Sequence, residues 1–404
     1  MYKIVKNCQI CNSRLIKFLD LGKQPLCDDL KKKPNTNKYY KLQIQFCKKC
    51  ITAFQKFNIN KKILFPKTYH YRSANTKDVI DGMKDLVKKT KKIKKKLRGK
   101  IILDIGCNDG SLLDEFKKSG AITYGIEPTN AYIQASRKGH KVLNNFFDKK
   151  TSIKIKKKLK NIDVITFTNV FAHIENFKEL ILSLKNIISK NTLLVIENHY
   201  LGEVIKKKQF DTFYHEHPRT YSLNSFYNIA KLLKLNLVNY NFVKRYNGNI
   251  RVFIGHKKSL SQKNLQSDLK KERKFLKFIN NFQKKVDLWK QNKLHYFKYL
   301  RNKFGPIPAK AFPGRASILI NYLKLNNKNI SYIYERNQSL KNNKFAPGTN
   351  IKIVKEKFFN KYERKKGIIL NLSWHISDEI KNYLKTKLNY KGKVINIISN
   401  KDFT

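Results

Sequence analysis

The stretch Ile101 to Leu113, IILDIGCNDGSLL, constrains this 404-residue chain more than any other. A β-branched apolar run ends in Asp104, turns through Gly106 and Gly110 and resumes with helical spacing at Leu112, which reads as strand, glycine turn and helix. The glycines let the backbone approach a ligand that a Cβ would block, and the helix behind them is expected to offer free N–H groups and a positive dipole end to an anion. The spacing Gly106-x-x-x-Gly110, with Asn108 and Asp109 between, departs from the G-x-G-x-x-G of dinucleotide sites. Its acidic start and single wider step suit a ligand that brings a carboxylate and no phosphate, as S-adenosylmethionine does. The same string also fits the strand-turn-helix of any α/β protein.

Later strands support the ligand reading. AITYGIEP is an apolar run ending in Glu127, 21 residues beyond Gly106, where an acid is placed to accept the ribose hydroxyls of an adenosine moiety. IDVITFTNVFAHI ends in Asn169 with His173 following, and TLLVIENHYL ends in Glu197, Asn198 and His199. Polar residues gathered at the carboxyl ends of parallel strands mark a ligand crevice. Asp104, Gly106, Asn108, Gly110, Glu127 and Asn169 are therefore the expected cofactor residues.

Upstream, Cys8-x-x-Cys11 and Cys47-x-x-Cys50 each match a zinc knuckle, in which two thiolates from one tight turn take neighbouring corners of a tetrahedron. Two pairs make a closed structural site of four cysteines and leave Cys27 as a spare; the other reading is four unrelated reduced thiols. Between Pro66 and Lys100, Val79, Met83, Leu86, Val87 and Ile93 recur near helical spacing opposite a lysine face, preceded by Tyr69 and Tyr71 as packing or ligand-facing rings.

At roughly 150 residues per domain the length suggests two or three units, here 1–68, 69–257 and 258–404. No run of about 18 uncharged apolar residues occurs, and MYKIVKNCQI lacks the apolar core of a secretory signal, so a cytoplasmic protein without membrane contact is expected. The formal net charge of +59 invites a nucleic-acid reading. Yet the basic residues run through every segment together with Asn and Ile, as in a composition bias falling on solvated positions, which makes nucleic acid the minority reading.

The densest group of titratable side chains is FDTFYHEHPRTYSL, residues 210–223. In an extended segment Tyr214 and Glu216 would project one way and His215 and His217 the other, unless a turn gathers them. A histidine near neutrality is a natural general base and a neighbouring carboxylate can orient it. A metal held by His215, Glu216 and His217 is disfavoured, because adjacent ligands reach one ion poorly; a polar surface loop is the bland alternative. RYNGNIRVFIGHK then reads as a hairpin strand with a turn at Asn247-Gly248.

From 258 to about 300 an apolar stripe of Leu260, Leu265, Leu269, Phe275, Phe278, Ile279, Phe282, Val286 and Trp289 reads as core or as a brace between domains. Beyond it, ISYIYE, GIILNLSWHISDEI and KVINII alternate as a second α/β unit. Its Gly305, Pro306, Pro308, Pro313 and Gly314 are read as a rigid loop before a helix near Ser317, suited to touching a ligand.

Taken together, the paired Cys-x-x-Cys with LGKQPL, DIGCNDGSLL, NVFAHI, FDTFYHEH with YSL, NGNIRV, PAK, KFAPGT and LSWHISDEI resemble the S-adenosylmethionine-dependent sugar C-methyltransferases, which methylate a ring carbon of nucleotide-linked keto-deoxysugars. The resemblance runs nearly end to end. It implies a zinc-bearing N-terminal domain, a class I, Rossmann-like methyltransferase core and a second Rossmann-like C-terminal domain that helps enclose the substrate, a dTDP-sugar or similar diphosphate sugar, in a monomer. Residue by residue, it implies an active site of Tyr214, Glu216, His217 and His173, with Tyr71 rather than Tyr69 as the substrate-facing tyrosine. The chain departs from the family's H-G-G-S-x-R at Tyr246 to Arg251 and from G-A-P-A-K-G at Gly305 to Ala311, and has Glu335 where an aspartate is commoner, positions where substrate is expected.

The expected chemistry is methylation of a carbon beside a ketone. His217 removes the proton, Tyr214 and His173 hydrogen-bond the developing oxyanion, and Glu216 orients His217 or a sugar substituent. Methylation of oxygen or nitrogen, a basic zinc-containing nucleic-acid-binding protein and a non-catalytic scaffold are the competing expectations.

Overall fold

Alternating β-branched and amphipathic runs between 101 and 255 build one seven-stranded sheet in the computed structural model, which describes residues 2–69, 71–75, 77–257, 261–359 and 361–403. Five strands, Ile101–Ile105, Ile122–Ile126, Lys141–Leu143, Val164–Thr168 and Leu193–His199, are parallel; numbered in that order they lie 3-2-1-4-5. A closing hairpin, Asn236–Val243 and Asn249–Gly255, inserts its second strand antiparallel beside the fifth. This is the class I methyltransferase order. The direction of winding reverses between the first and fourth strands, so the crevice opens where Ile105 and Thr168 end.

The zinc unit is a small antiparallel sheet of Ile16–Pro25, Tyr39–Cys47 and Thr52–Gln55, completed by a strand it does not own: Arg219–Thr220, directly after the YHEH segment, pairs with Ala53 and Phe54. The C-terminal unit is a six-stranded sheet. Ile307–Lys310, Ile330–Glu335, Lys352–Lys355, Ile368–Asn371 and Lys393–Asn396 lie parallel in the order 3-2-1-4-5, with Lys344–Phe345 antiparallel at the edge. It is a second Rossmann-like fold.

Burial does not respect those units. Phe18, Leu19 and Phe46 of the zinc sheet, Phe213 of the YHEH segment, and Phe282, Trp289, Ile307 and Leu319 of the C-terminal third form one continuous apolar core. Within it Phe18 packs against Phe46, Phe213 and Phe282 at ring-centroid distances of 5.8, 5.8 and 4.9 Å. The stripe after 258 braces the two cores: Leu265 and Leu269 of helix Gln262–Arg273 join the methyltransferase core, whereas Phe282, Val286 and Trp289 of helix Phe282–Phe304 join the other. Phe278 of the stripe points to solvent, and Leu260 lies outside the described residues.

The GPIPAKAF segment differs from its reading as a loop. Ile307–Lys310 is the first strand of the C-terminal sheet with all four residues buried. Its alternating prolines disguise it, because Pro306 precedes the strand and Pro308 is tolerated where the register shifts between Ile307 and Ala309. The rigid turn is shorter, Ala311 to Arg315, and the helix behind it is Ala316–Tyr322.

Among the described residues, Lys310 is the only lysine in the buried set. No described helix is long and apolar enough to cross a membrane.

Candidate active site

The four paired cysteines converge. The sulfur atoms of Cys8, Cys11, Cys47 and Cys50 all lie within 4.8 Å of one another, with Cys11 and Cys47 3.6 Å apart. A tetrahedral zinc with bonds of about 2.3 Å needs sulfurs separated by about 3.8 Å, so the set fits that ion. Backbone N–H groups of Cys11 and Cys50 donate to the sulfurs of Cys8 and Cys47, the arrangement that stabilises thiolates in a knuckle. Cys27 lies elsewhere, buried beside Glu216 and Asp211.

At the glycine turn, Gly106, Asn108 and Gly110 all adopt left-handed backbone, at φ of +71°, +51° and +79°. A Cβ on Gly110 would come within 2.8 Å of the His140 ring and 3.0 Å of Ala135. The helix end behind the turn is not free for an anion, as the sequence suggested. Asp109 occupies it, its Oδ1 accepting from the backbone N–H and hydroxyl of Ser111 at 3.1 and 2.6 Å. Such an end repels phosphate and suits a sulfonium cation.

Glu127 is 5% exposed. Its Oε1 accepts from the amide and hydroxyl of Thr129, and its Oε2 from the Asn108 amide at 3.0 Å, which leaves one lone pair on Oε2 for a ribose hydroxyl. A second hydroxyl requires the Thr129 side chain to turn away. Burial raises Glu127 and pushes Asp104, whose Oδ1 accepts from Thr166 at 2.6 Å, up to about 7. These donors and acceptors fit adenosine and sulfonium groups. Glu127→Ala is expected to weaken S-adenosylhomocysteine binding by one to two orders of magnitude, about 1.5–3 kcal/mol for a lost charged hydrogen bond; an unchanged Kd by calorimetry would remove Glu127 from the site.

Asn108 and Asn169 are used differently. Asn108 Oδ1 accepts from the Ser73 amide at 3.0 Å and its Nδ2 donates to the Tyr71 carbonyl at 3.1 Å, so it straps residues 71–74 across the turn; Ala74 N–H donates to Asp109 at 2.9 Å. Asn169, at φ +55°, turns its Oδ1 to Asn249.

At the YHEH segment a tight turn replaces strand alternation, since His217 N–H donates to the Tyr214 carbonyl at 2.8 Å. The turn brings the Tyr214 ring against His217, tilted at 41° with centroids 4.1 Å apart, and sends His215 the other way, edge-on to Tyr40 of the zinc sheet at 5.9 Å. His173 and His199, from the ends of the fourth and fifth strands, close on His217 at 4.9 and 5.3 Å. Burial pushes all three well below the usual histidine range, His217 to about 4, so the cluster is neutral at pH 7.

His217 is oriented by the Thr212 carbonyl, which Nδ1 meets at 3.0 Å, and not by Glu216. A carbonyl only accepts, so Nδ1 carries the proton and Nε2 holds the basic lone pair. Glu216 is raised well above the carboxylate range by burial and by the nearby Asp28 carboxylate, and accepts from the Tyr69 hydroxyl at 3.0 Å. Tyr69 is thus the tyrosine hydrogen-bonded to Glu216. The Tyr71 ring is 38% exposed, and what Tyr71 brings to the strap is its carbonyl.

Three family models match in tandem: a zinc binding domain over residues 8–65, a methyltransferase domain over 73–240 and a C-methyltransferase C-terminal domain over 245–398. This tandem is the domain set of an S-adenosylmethionine-dependent methyltransferase. One relative, the C-methyltransferase NovU of Streptomyces niveus, is 23% identical over 254 residues; the match spans 62% of this chain and 60% of NovU. Among solved structures, magnesium protoporphyrin IX methyltransferase (ChlM) from Synechocystis PCC 6803 with bound SAH is 14% identical, covers 45% of this chain and 84% of its own, and gives a TM-score of 0.35. PH0226 from Pyrococcus horikoshii OT3 is 15% identical, with 48% and 98% coverage and a TM-score of 0.35. The fold is fixed by the strand order and the family models, which also identify S-adenosylmethionine and zinc as the cofactors.

Within this methyltransferase several functional supports escape sequence reasoning. Gln55 of the zinc sheet donates to the carbonyls of Tyr214 and His217 at 2.5 and 2.9 Å, fixing the turn. Arg219, 1% exposed, ties Gln9 of the first knuckle to the carbonyls of Ile174 and Glu175 behind His173. Arg251, in the segment where substrate was expected, is fully buried and bound to Glu197, Asp85 and the Gly82 carbonyl, so it anchors helix Lys77–Lys94 instead. The only available signal was an arginine in an apolar strand, which must be paired.

Proposed function

We propose that the protein methylates a carbon next to the ketone of a nucleotide-linked deoxysugar, a dTDP-sugar or similar diphosphate sugar, with His217 as the base. The observation that carries this reading is the His217 tautomer: Nδ1–H held by Thr212 leaves a neutral, basic Nε2 among His173, His199 and Tyr214. A keto group acidifies the adjacent C–H. Nε2 takes that proton, and the bonding pair moves toward the keto oxygen as an enolate. S-adenosylmethionine, when bound, supplies an electrophilic methyl group whose sulfur leaves with its bonding pair as the new carbon–carbon bond forms. General-base help of this kind contributes about 10²–10⁴-fold.

Glu216 with Tyr69 offers polar groups to a ring substituent, while the Tyr214 hydroxyl and His173 face the developing oxyanion. The reading takes the functional units to divide at residues 68/69 and 257/258, and the enzyme to act as a cytoplasmic monomer. The test uses dTDP-4-keto-6-deoxyglucose and isotopically labelled cofactor as probes. Product NMR is expected to place the methyl on a ring carbon; a methyl on oxygen or nitrogen overturns the assignment.

A further inference from the structure

One buried cation near this cluster has no role in the mechanism above. Arg315, at the foot of helix Ala316–Tyr322, is 7% exposed and points out of the C-terminal unit into the catalytic segment. Its Nε and Nη2 grip the two oxygens of Asp211 at 2.8 and 2.7 Å, and Asp211 is itself fully buried and also accepts from the Trp374 indole at 2.8 Å. The guanidinium lies over the Trp374 ring at 5.0 Å. Its third nitrogen, Nη1, is buried with no hydrogen-bond partner among the described residues. A buried donor left without an acceptor is costly, which points to a ligand group as its partner.

We propose that Arg315 Nη1 is the donor that receives the substrate's keto oxygen as it becomes an enolate oxygen. The inference rests on His217 being the base that forms that enolate.

Three features favour the keto oxygen over a diphosphate. Asp211 and Thr212 are neighbours on one short turn: the first aims Arg315 and the second aims His217, so donor and base are set by the same piece of backbone. The keto oxygen sits on the atom next to the carbon losing its proton, and its donor has to share a hollow with the base, whereas the diphosphate lies across the sugar ring. Arg315 also lies close enough to His217, His199, His375 and Tyr214 for its charge to act on all four. Asp211 also neutralises the guanidinium. An ion pair keeps directional N–H groups, as an oxygen gaining partial charge requires, but lacks the net charge that suits a dianion.

The test measures turnover of the dTDP-keto-sugar and, with S-adenosylhomocysteine in place of the methyl donor, incorporation of solvent deuterium into the substrate. Arg315→Ala is expected to lower both kcat and deuterium incorporation about 10²–10³-fold, the loss typical of one oxyanion donor, with KM changed less than about threefold. Guanidinium ion at millimolar concentration is expected to restore part of both rates and methylammonium neither. Because Arg315→Ala leaves Asp211 unpaired in the interior, Arg315→Lys and Asp211→Asn are measured beside it. Each is expected to fold, by melting temperature, and to lose kcat and exchange together. Wild-type exchange in the variants, or a raised KM with kcat intact at saturation, overturns the assignment and puts Arg315 on a remote part of the substrate. A wild-type enzyme that exchanges no deuterium overturns the carbon-acid reading and this one with it.

Discussion

His217→Gln is expected to lower turnover by about 10²–10⁴-fold and to abolish deuterium exchange at the substrate carbon, while S-adenosylhomocysteine binds as in the wild type. The cofactor groups lie on other strand ends, so binding and proton abstraction separate cleanly. Glutamine keeps a donor for Thr212 but has no basic nitrogen at the position of Nε2. Exchange at the wild-type rate would remove His217 as the base. The pH dependence follows from burial, which holds His217 at about 4. Nε2 stays unprotonated down to about pH 5, so turnover per folded molecule should be flat from pH 7 to 5 and fall toward pH 4. The contribution of the buried histidines to folding stability declines over the same range. The unfolded histidines take up protons below about pH 6.5 and the buried ones do not, so the unfolded state binds more protons and gains as pH falls. Circular dichroism at each pH separates the two effects.

Loss of the zinc site is expected to be as severe. A structural zinc contributes about 10–16 kcal/mol to folding in small zinc-binding peptides, and here the sheet it stabilises presents Gln55 and strand Thr52–Gln55 to the catalytic turn. Cys47→Ser, or chelation under mild denaturant, should strip the metal, lower the melting temperature by roughly 10 °C or more and eliminate turnover, because the Tyr214 and His217 carbonyls lose their anchor. Cys27→Ser should leave the metal content unchanged. A zinc-free enzyme with wild-type melting and turnover would show that the knuckles do not support the turn.

The parts legible in the sequence were those written in local patterns. Apolar runs and glycine turns located most strands of both α/β units, and the Cys-x-x-Cys spacing located all four thiols that converge. What escaped depended on tertiary contacts. Tyr69 and Tyr71 are two residues apart, and only tertiary contacts distinguish them: the Tyr69 hydroxyl meets Glu216, whereas the Tyr71 carbonyl joins the strap to Asn108. Glu216 adjoins His217, but the turn hands orientation of the imidazole to the Thr212 carbonyl, a main-chain group no side-chain pattern reports. Asp109 reads as a loop acid and instead closes the helix end thought to await an anion. Pro308 hid a central strand because its ring is tolerated at one irregularity in the ladder.

The apolar core that runs from Phe18 and Phe46 through Phe213 to Phe282 and Ile307 has a consequence for inheritance. Three units that look separable along the chain are complementary at their faces, so a zinc unit taken from one relative and joined to the rest of another brings an unmatched surface to both neighbours. Its strand Thr52–Gln55 must also find a partner in Arg219–Thr220 of its new host. Wholesale exchange of the first unit therefore breaks the surface that the other two are folded against.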